Sequence, residues 1–218
     1  MTITKYLHSC LAVKEGETAI LIDPGNFVFI EGRIAPEQLA RVDGIFFTHV
    51  HQDHCAIDSL KAIRAKSPDA QIFGHPEVVA ALREAQIDAK PFSAGDMVRI
   101  GQLSVGGVKA PHESIEPVPT PGNTGILMND RFLHPGDSHH AALDSVEILC
   151  LPTAAPWSRI TDVWQHVTRL KPRHVIPIHD AFLKDFFRDA FDSRFAEWIK
   201  PWGGAYHALK AGESVTID

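Results

Sequence analysis

Thr48-His49-Val50-His51-Gln52-Asp53-His54 gathers four side chains that bind divalent metals within six residues. The run before it, Gly44-Ile45-Phe46-Phe47-Thr48, reads as a buried strand, and Ala56 to Lys66 after it reads as a helix with Ile57, Leu60 and Ile63 on one face. The cluster therefore belongs in a loop at a strand end, where a rigid scaffold holds catalytic groups. Residues two apart in an extended segment point the same way. His49 and His51 can then reach one metal, and Asp53 continues their row, while His54 points elsewhere, at the mouth of the next helix. H-x-H followed by D-H predicts two adjacent metals rather than one.

The surroundings fit a soluble enzyme. With 218 residues and 44% hydrophobic content, the chain can bury a sizeable core. A net charge of −6 disfavours non-specific binding to nucleic acid. Thirteen histidines against 2 tyrosines and 4 tryptophans is an excess that metal binding explains. Cys10, Cys55 and Cys150 form no C-x-x-C pair and no disulfide framework, which points to a reducing, cytoplasmic setting. No signal peptide is visible at the N-terminus, and no apolar run approaches the ~20 residues of a membrane span.

Strand and helix patterns alternate along the chain. Ile3 to Val13 and Thr18 to Asp23 are β-rich runs joined by Lys14–Glu17, and Asp23-Pro24-Gly25 is a turn. Pro36 to Ala40 is a short helix, Gln71 to Gly74 a strand, and Pro76 opens a helix to Glu84. Strand-like runs at Met97–Ile100 and Leu103–Val105 lead to a Pro-rich loop, Ala110 to Asn123, long enough to suggest a functional role. A hairpin follows over Gly125–Asn129 and Arg131–His134, then a buried strand over Val146–Leu151. Ser158 is the expected N-cap of a helix to Leu170, packing through Ile160, Val163, Trp164 and Val167. Val175–Ile178 is a strand, Phe182–Ile199 a helix, and Tyr206–Leu209 with Ser214–Ile217 a closing hairpin. The order predicts an α/β layered protein forming one domain over 1–218.

A two-metal site needs roughly six or seven protein ligands if each metal keeps a position for water. A search for His or Asp at strand ends beside turn residues finds three more: His112 after Pro111, Asp137 after Pro135-Gly136, and His179 after Ile178. This order, His49-x-His51-x-Asp53-His54, a lone His, Gly136-Asp137-Ser138 and a strand-terminal His, resembles the metallo-β-lactamase superfamily. Asp23-Pro24-Gly25 matches that family's early Asp-Pro turn. Tyr6-Leu7-His8-Ser9-Cys10 and Pro177-Ile178-His179 resemble the stand-alone metal-dependent hydrolases related to ascorbate-6-phosphate lactonase.

The resemblance, which runs from about Leu7 to His179, implies a four-layer αββα sandwich, an α/β (α+β) fold with the site at one edge of two sheets. It implies that His49, His51 and His112 bind one metal, that Asp53, His54 and His179 bind the other, and that Asp137 bridges them. The chemistry expected is hydrolysis of an ester, lactone or phosphoester of a small polar substrate by a hydroxide shared between two metals, with Asp53 orienting it. Zinc suits this ligand set best, and manganese or iron would be tolerated. His139 and His140 are candidates for the leaving-group acid or for substrate contact. His8 either lines the site or bonds beneath its loops, and Asp23 either accepts a proton from a ligand histidine or stabilises its turn. Trp157 either walls the pocket, since its loop follows a strand in the half that carries the site, or packs in the core, which is the safer reading.

Other functions weigh less. Di-iron redox relatives typically have Glu where this chain has His51 and add a flavin domain; one-iron sulfur dioxygenases are a weaker option. Nuclease branches usually carry an inserted domain and a basic surface, against the −6 charge here. A non-catalytic binding module is disfavoured by an intact ligand set. A homo-oligomer is compatible with all of these readings.

Overall fold

A computed structural model describes residues 1–218, apart from the side chain of Pro36. The first half of the chain contributes β1 (Thr2–Leu7), β2 (Cys10–Glu15), β3 (Thr18–Ile22), β4 (Gly44–Phe47), α1 (Ile57–Lys66), β5 (Gln71–Gly74), α2 (Pro76–Glu84) and β6 (Lys90–Pro91). The second contributes β7 (Met97–Ile100), β8 (Leu103–Lys109), β9 (Thr124–Met128), β10 (Phe132–His134), β11 (Ile148–Pro152), α3 (Ile160–Leu170), β12 (His174–Ile178), α4 (Asp185–Ile199), β13 (Ala205–Tyr206) and β14 (Ser214–Thr216). The strands form two seven-stranded sheets, ordered β14-β1-β2-β3-β4-β5-β6 and β13-β12-β11-β10-β9-β8-β7. In each, antiparallel pairing gives way to parallel pairing, at β3/β4 in one and β10/β11 in the other.

Side-chain alternation builds the layers. In β3 and β4, Ile20, Ile22 and Phe46 face the core between the sheets, while Leu21, Ile45 and Phe47 face outward under α1 and α2. In β11, Ile148 and Cys150 face the inter-sheet core and Leu149 and Leu151 pack under α3 and α4. Both faces of these strands are buried, so their sequences read as continuous apolar runs. The result is the expected four-layer αββα sandwich. Phe46 stacks on Phe73 at 4.8 Å and meets Phe92 edge-on at 5.2 Å; truncating a core ring of this kind costs ~3–5 kcal/mol. Among the described residues, no helix is long and apolar enough to cross a membrane.

Four expectations fail in detail. The run from Ile3 to Val13 is two strands, β1 and β2, turning tightly at His8-Ser9, where His8 adopts φ 56°. Ser158 does not cap α3: its N–H closes a turn on Ala155 O at 3.0 Å, and extended Arg159 takes the cap position, with its guanidinium on Asp162 at 2.9 Å. The last helix starts at Asp185, because Leu183 N–H bonds Asp180 O (3.1 Å) and keeps Phe182 in a turn. Finally, β13 and β14 are no hairpin: β13 pairs parallel with β12 and β14 antiparallel with β1, in different sheets. Strands of two and three residues are too short for periodicity to assign a partner.

Candidate metal centre

The site is assembled where strands of both sheets end. Beyond β3, Asp23 N–H donates to Phe46 O at 2.9 Å, extending the β3/β4 pairing by one step. This sets Asp23 beside Thr48, whose amide and hydroxyl both donate to its carboxylate at 2.8 and 2.7 Å. Gly25 then runs against the ligand loop so closely that a Cβ there would lie 1.8 Å from Asp53 O, which only glycine permits. Across the sheets, Thr124 N–H donates to Thr48 O at 3.0 Å, joining the end of β4 to the start of β9. The loop after β12 delivers His179, the segment after β10 delivers Asp137, and the Pro-rich loop delivers His112.

All seven expected ligands converge. Asp137 is the hub: its Oδ1 lies 3.0 Å from His54 Nε2, and its Oδ2 lies 3.2, 3.5 and 3.7 Å from the Nε2 atoms of His179, His112 and His49. Two sets of donor atoms each cluster within 4.8 Å: His49, His51, His112 and Asp137 in one; Asp53, His54, His179 and His8 in the other. His54 falls in the second set, apart from that of His49 and His51, with its ring fully buried between Asp23 and Asp137; Asp53, expected to continue the row of His49 and His51, joins it there.

Hydrogen bonds on the far side of four rings fix which nitrogen faces inward. His112 Nδ1–H donates to Glu113 O (2.5 Å) and His179 Nδ1–H to Ala154 O (2.6 Å). His54 Nδ1–H donates to Asp23 Oδ2 (2.7 Å). Thr48 spends its proton on Asp23, so His49 Nδ1–H must donate to Thr48 Oγ1 (2.9 Å). Each ring thus turns Nε2 to the centre, the arrangement by which outer partners orient metal-binding imidazoles. His51 instead presents Nδ1, 3.3 Å from His112 Nε2. His49 Nε2, His179 Nε2 and Asp137 Oδ1 are buried without a hydrogen-bond partner. Orphaned polar atoms are expensive inside a protein, and one imidazole nitrogen in each set, beside an oxygen of the carboxylate between them, fits divalent cations.

The electrostatics agree. Burial alone would push the Asp137 carboxyl up, but His54, His179 and His49 hold it well below the usual range. Burial likewise opposes a charge on His54 and His179, yet Asp137 outweighs it, lifting His54 well above its ordinary value and His179 to about 9. Burial keeps His49 well below its ordinary value. Positive charge is therefore favoured at His54 and His179, and a metal bound there would displace protons.

The other expected residues fall into place differently. Asp23 bonds His54 and Thr48 behind the ligands and touches no opening. His8 is buried; Ala181 N–H donates to its Nδ1 (3.4 Å), leaving Nε2–H to face Asp53 Oδ2 at 3.1 Å. His8 (φ 56°), Asp23 (φ 46°) and His179 (φ 59°) all hold the left-handed backbone that glycine favours. His139 is buried with its ring nitrogen on Pro152 O (3.1 Å), and His140 is 70% exposed, facing Glu113 at 3.7 Å. Neither makes a hydrogen bond or ion pair with a ligand, so the structure does not bring them to the ligand cluster. Of the two readings of Trp157, core packing is the one the geometry disfavours: half-buried, its ring leans on His179 (5.5 Å), His112 (6.3 Å) and His139 (5.3 Å).

Two supporting residues escaped sequence reasoning. Asn123 Nδ2 donates to Ala110 O (2.6 Å) and Pro135 O (2.9 Å), clamping the loops before His112 and Asp137. Glu113 joins His112 to the Asp137 segment: its carbonyl accepts from His112, its N–H donates to Asp137 O (2.9 Å) and its Oε1 accepts from His139 N–H (2.8 Å). Asn123 sits at a strand start beside Pro-Gly, the same kind of position that betrayed the ligands.

Comparison with known proteins follows the same line. The beta-lactamase superfamily domain matches residues 2–179. Protein Rv0786c of Mycobacterium tuberculosis is 30% identical over 203 residues, covering 90% of this chain and 92% of its own. UPF0173 metal-dependent hydrolase TTHA1283 of Thermus thermophilus is 27% identical over 237 residues, covering 100% of both. Among solved structures, Igni18, a metallo hydrolase from Ignicoccus hospitalis, superposes with a TM-score of 0.74 at 19% identity, covering 100% of this chain and 98% of that one.

Proposed function

Because the chain belongs to the beta-lactamase superfamily, we propose that it is a metal-dependent hydrolase with a dinuclear centre that cleaves an ester, lactone or phosphoester bond of a small substrate. His49, His51 and His112 hold one divalent ion, Asp53, His54 and His179 hold the second, and Asp137 lies between them. The observation that carries this reading is the set of four imidazoles anchored through Nδ1, with their Nε2 atoms gathered around one buried carboxylate. Bound there, such ions supply Lewis acidity and bring the pKa of water from 15.7 to about 7. Zinc suits five imidazoles and two carboxylates, with manganese and iron as competitors.

The chain's own residues do the positioning. Asp53 is the ligand carboxylate that reaches solvent, 20% exposed. Burial would raise it, but the imidazoles of His179, 3.5 Å away, and of His8 keep it ionised far below the usual range. It is therefore an acceptor at neutral pH, held at Oδ2 by His8 Nε2–H and able to orient attacking water or take its proton. Three cysteines, all free and buried, fit a cytoplasmic setting.

Metal analysis of protein purified without added metal, followed by a panel of esters, lactones and phosphodiesters, tests the proposal. About two metals per chain and turnover are expected, and Asp137→Ala should lose both by more than the ~100-fold typical of an outer partner. A metal-free protein that cannot be reconstituted, or turnover equal to that of Asp137→Ala, overturns it.

A further inference from the structure

Three aromatic side chains stand at the mouth of the metal centre, and none is needed to hold a ligand. Phe27 follows β3, Trp157 follows β11 and Phe182 follows β12, so all three come from loops at the strand ends that carry the site. Phe182 packs edge-on to His8 at 5.4 Å and to Phe27 at 5.6 Å, and lies 5.5 Å from His179. Phe27 meets His8 at 5.0 Å. Trp157 approaches His179 from another loop, at 5.5 Å, and also reaches His112. His8 bonds Asp53, the carboxylate open to solvent, and His179 Nε2 lies 3.5 Å from it. The aromatic wall is thus continuous with the point where a substrate must enter.

Its exposure is what a wall for a ligand requires. Phe182 is 51% exposed although it touches two buried imidazoles. An apolar ring left half in water beside a catalytic centre offers area for a bound molecule to cover. The edge-to-face contacts hold the rings before anything binds, so little ordering is needed on binding. The charge pattern points the same way. Among the described residues, no Lys or Arg makes a hydrogen bond or ion pair with the seven ligands or His8. The nearby Lys5 is buried, bonded to Pro177 O at 2.7 Å and Asp180 at 2.6 Å. The fork of cationic donors that phosphate recognition favours is not built here.

We propose that Phe27, Phe182 and Trp157 bind an apolar acyl arm of the substrate, making this an esterase or lactonase for apolar carboxylic acids. The proposal rests on the hydrolase reading above and replaces the small polar substrate expected from sequence. The reaction adds the oxygen of water to the acyl carbon and breaks the acyl C–O bond. One proton of water passes to the leaving alkoxide, giving the carboxylic acid and the alcohol without any oxidant or reductant.

The test uses the metal-loaded full chain with p-nitrophenyl acetate, butyrate, hexanoate and octanoate, and with bis(p-nitrophenyl) phosphate. Each methylene taken into apolar contact should gain roughly two- to fourfold, so kcat/KM should rise at least ~10-fold from acetate to hexanoate. Phe182→Ala should reduce that ratio to below ~3-fold, and Phe27→Ala should reduce it in part. Met97→Ala, an equally apolar change at an exposed residue of β7, should retain it. A flat chain-length profile in the wild type, the same slope in Phe182→Ala, or faster turnover of the phosphodiester than of every acyl ester overturns the assignment. Calorimetric titration with acetate and hexanoate anions separates the two readings. Tighter hexanoate binding that is lost in Phe182→Ala, with no ester turnover above Asp137→Ala, leaves the apolar site standing and removes the hydrolase. Ester turnover without chain-length preference does the reverse.

Discussion

Two candidate ligands delivered by the first sheet, His49 and His54, lean on one side chain, whereas His112, Asp137 and His179, delivered by the second, lean on the backbone of Glu113 and Ala154. Asp23 holds His54 directly and His49 through the Thr48 hydroxyl. His112 and His179 are held by the carbonyls of Glu113 and Ala154, and Asp137 by Glu113 N–H on its carbonyl. A shared carboxylate couples its dependants, so one substitution can unseat two ligands. Backbone anchors do not hang on one carboxylate, and an alanine substitution at Glu113 or Ala154 leaves the anchoring N–H and C=O groups in place. The first half of the centre is therefore the mutable half.

The largest effect should come from Asp23→Ala. It strips the partner from His54 Nδ1 and from Thr48 N–H and hydroxyl in a fully buried place, each worth ~1–3 kcal/mol when left unpaired. Chelator competition should show metal affinity reduced ~10- to 100-fold at both positions, since His49 and His54 serve different ions. Loss at one ion only would break the idea of a shared anchor. Thr48→Val should do less: it keeps the shape and Asp23–His54 but leaves His49 Nδ1–H without an acceptor, costing ~1–3 kcal/mol. Its metal loss should fall on the His49 side alone, and an effect matching Asp23→Ala would mean that Thr48 carries the network.

The smallest effect concerns what backs the second half. His166 lies behind His139, at a 5.6 Å ring separation, and His139 bonds Pro152 O two residues before Ala154. Burial, then His139, lowers the His166 pKa to about 3 from an ordinary 6.5. Below about pH 6.5 the unfolded chain gains a proton that folded His166 refuses. Stability should fall as pH drops toward about 3, at up to ~1.4 kcal/mol per unit. Urea unfolding at pH 7 and pH 5 should show ~2 kcal/mol more acid loss in wild type than in His166→Leu. Equal losses in both would clear His166.

Much of this was legible before any fold was known. Four ligands share one loop, and the other three mark themselves by standing at strand ends next to Pro or Gly. Buried on both faces, β3, β4, β11 and β12 announce themselves as apolar runs. What stayed hidden depends on contacts far apart in sequence. The turn at His8-Ser9 carries no glycine and sits among β-formers, so only pairing of β1 with β2 exposes it. The sheet membership of β13 and β14 is decided by partners about 30 and 210 residues away. Trp157 offered one hint, a loop after a strand in the half that carries the site, but nothing local said that its ring would lie beside His179 and His112.

The left-handed backbone at His8, Asp23 and His179 has a consequence for how this protein can change. Each such residue holds a conformation costing of order 1–3 kcal/mol, which glycine would adopt freely. Glycine would also remove a buried side chain at each position, and at Asp23 it would leave His54 Nδ1–H and both Thr48 donors unpaired, at ~1–3 kcal/mol each. There the bonds outweigh the strain, so the position resists the one residue that its backbone would favour.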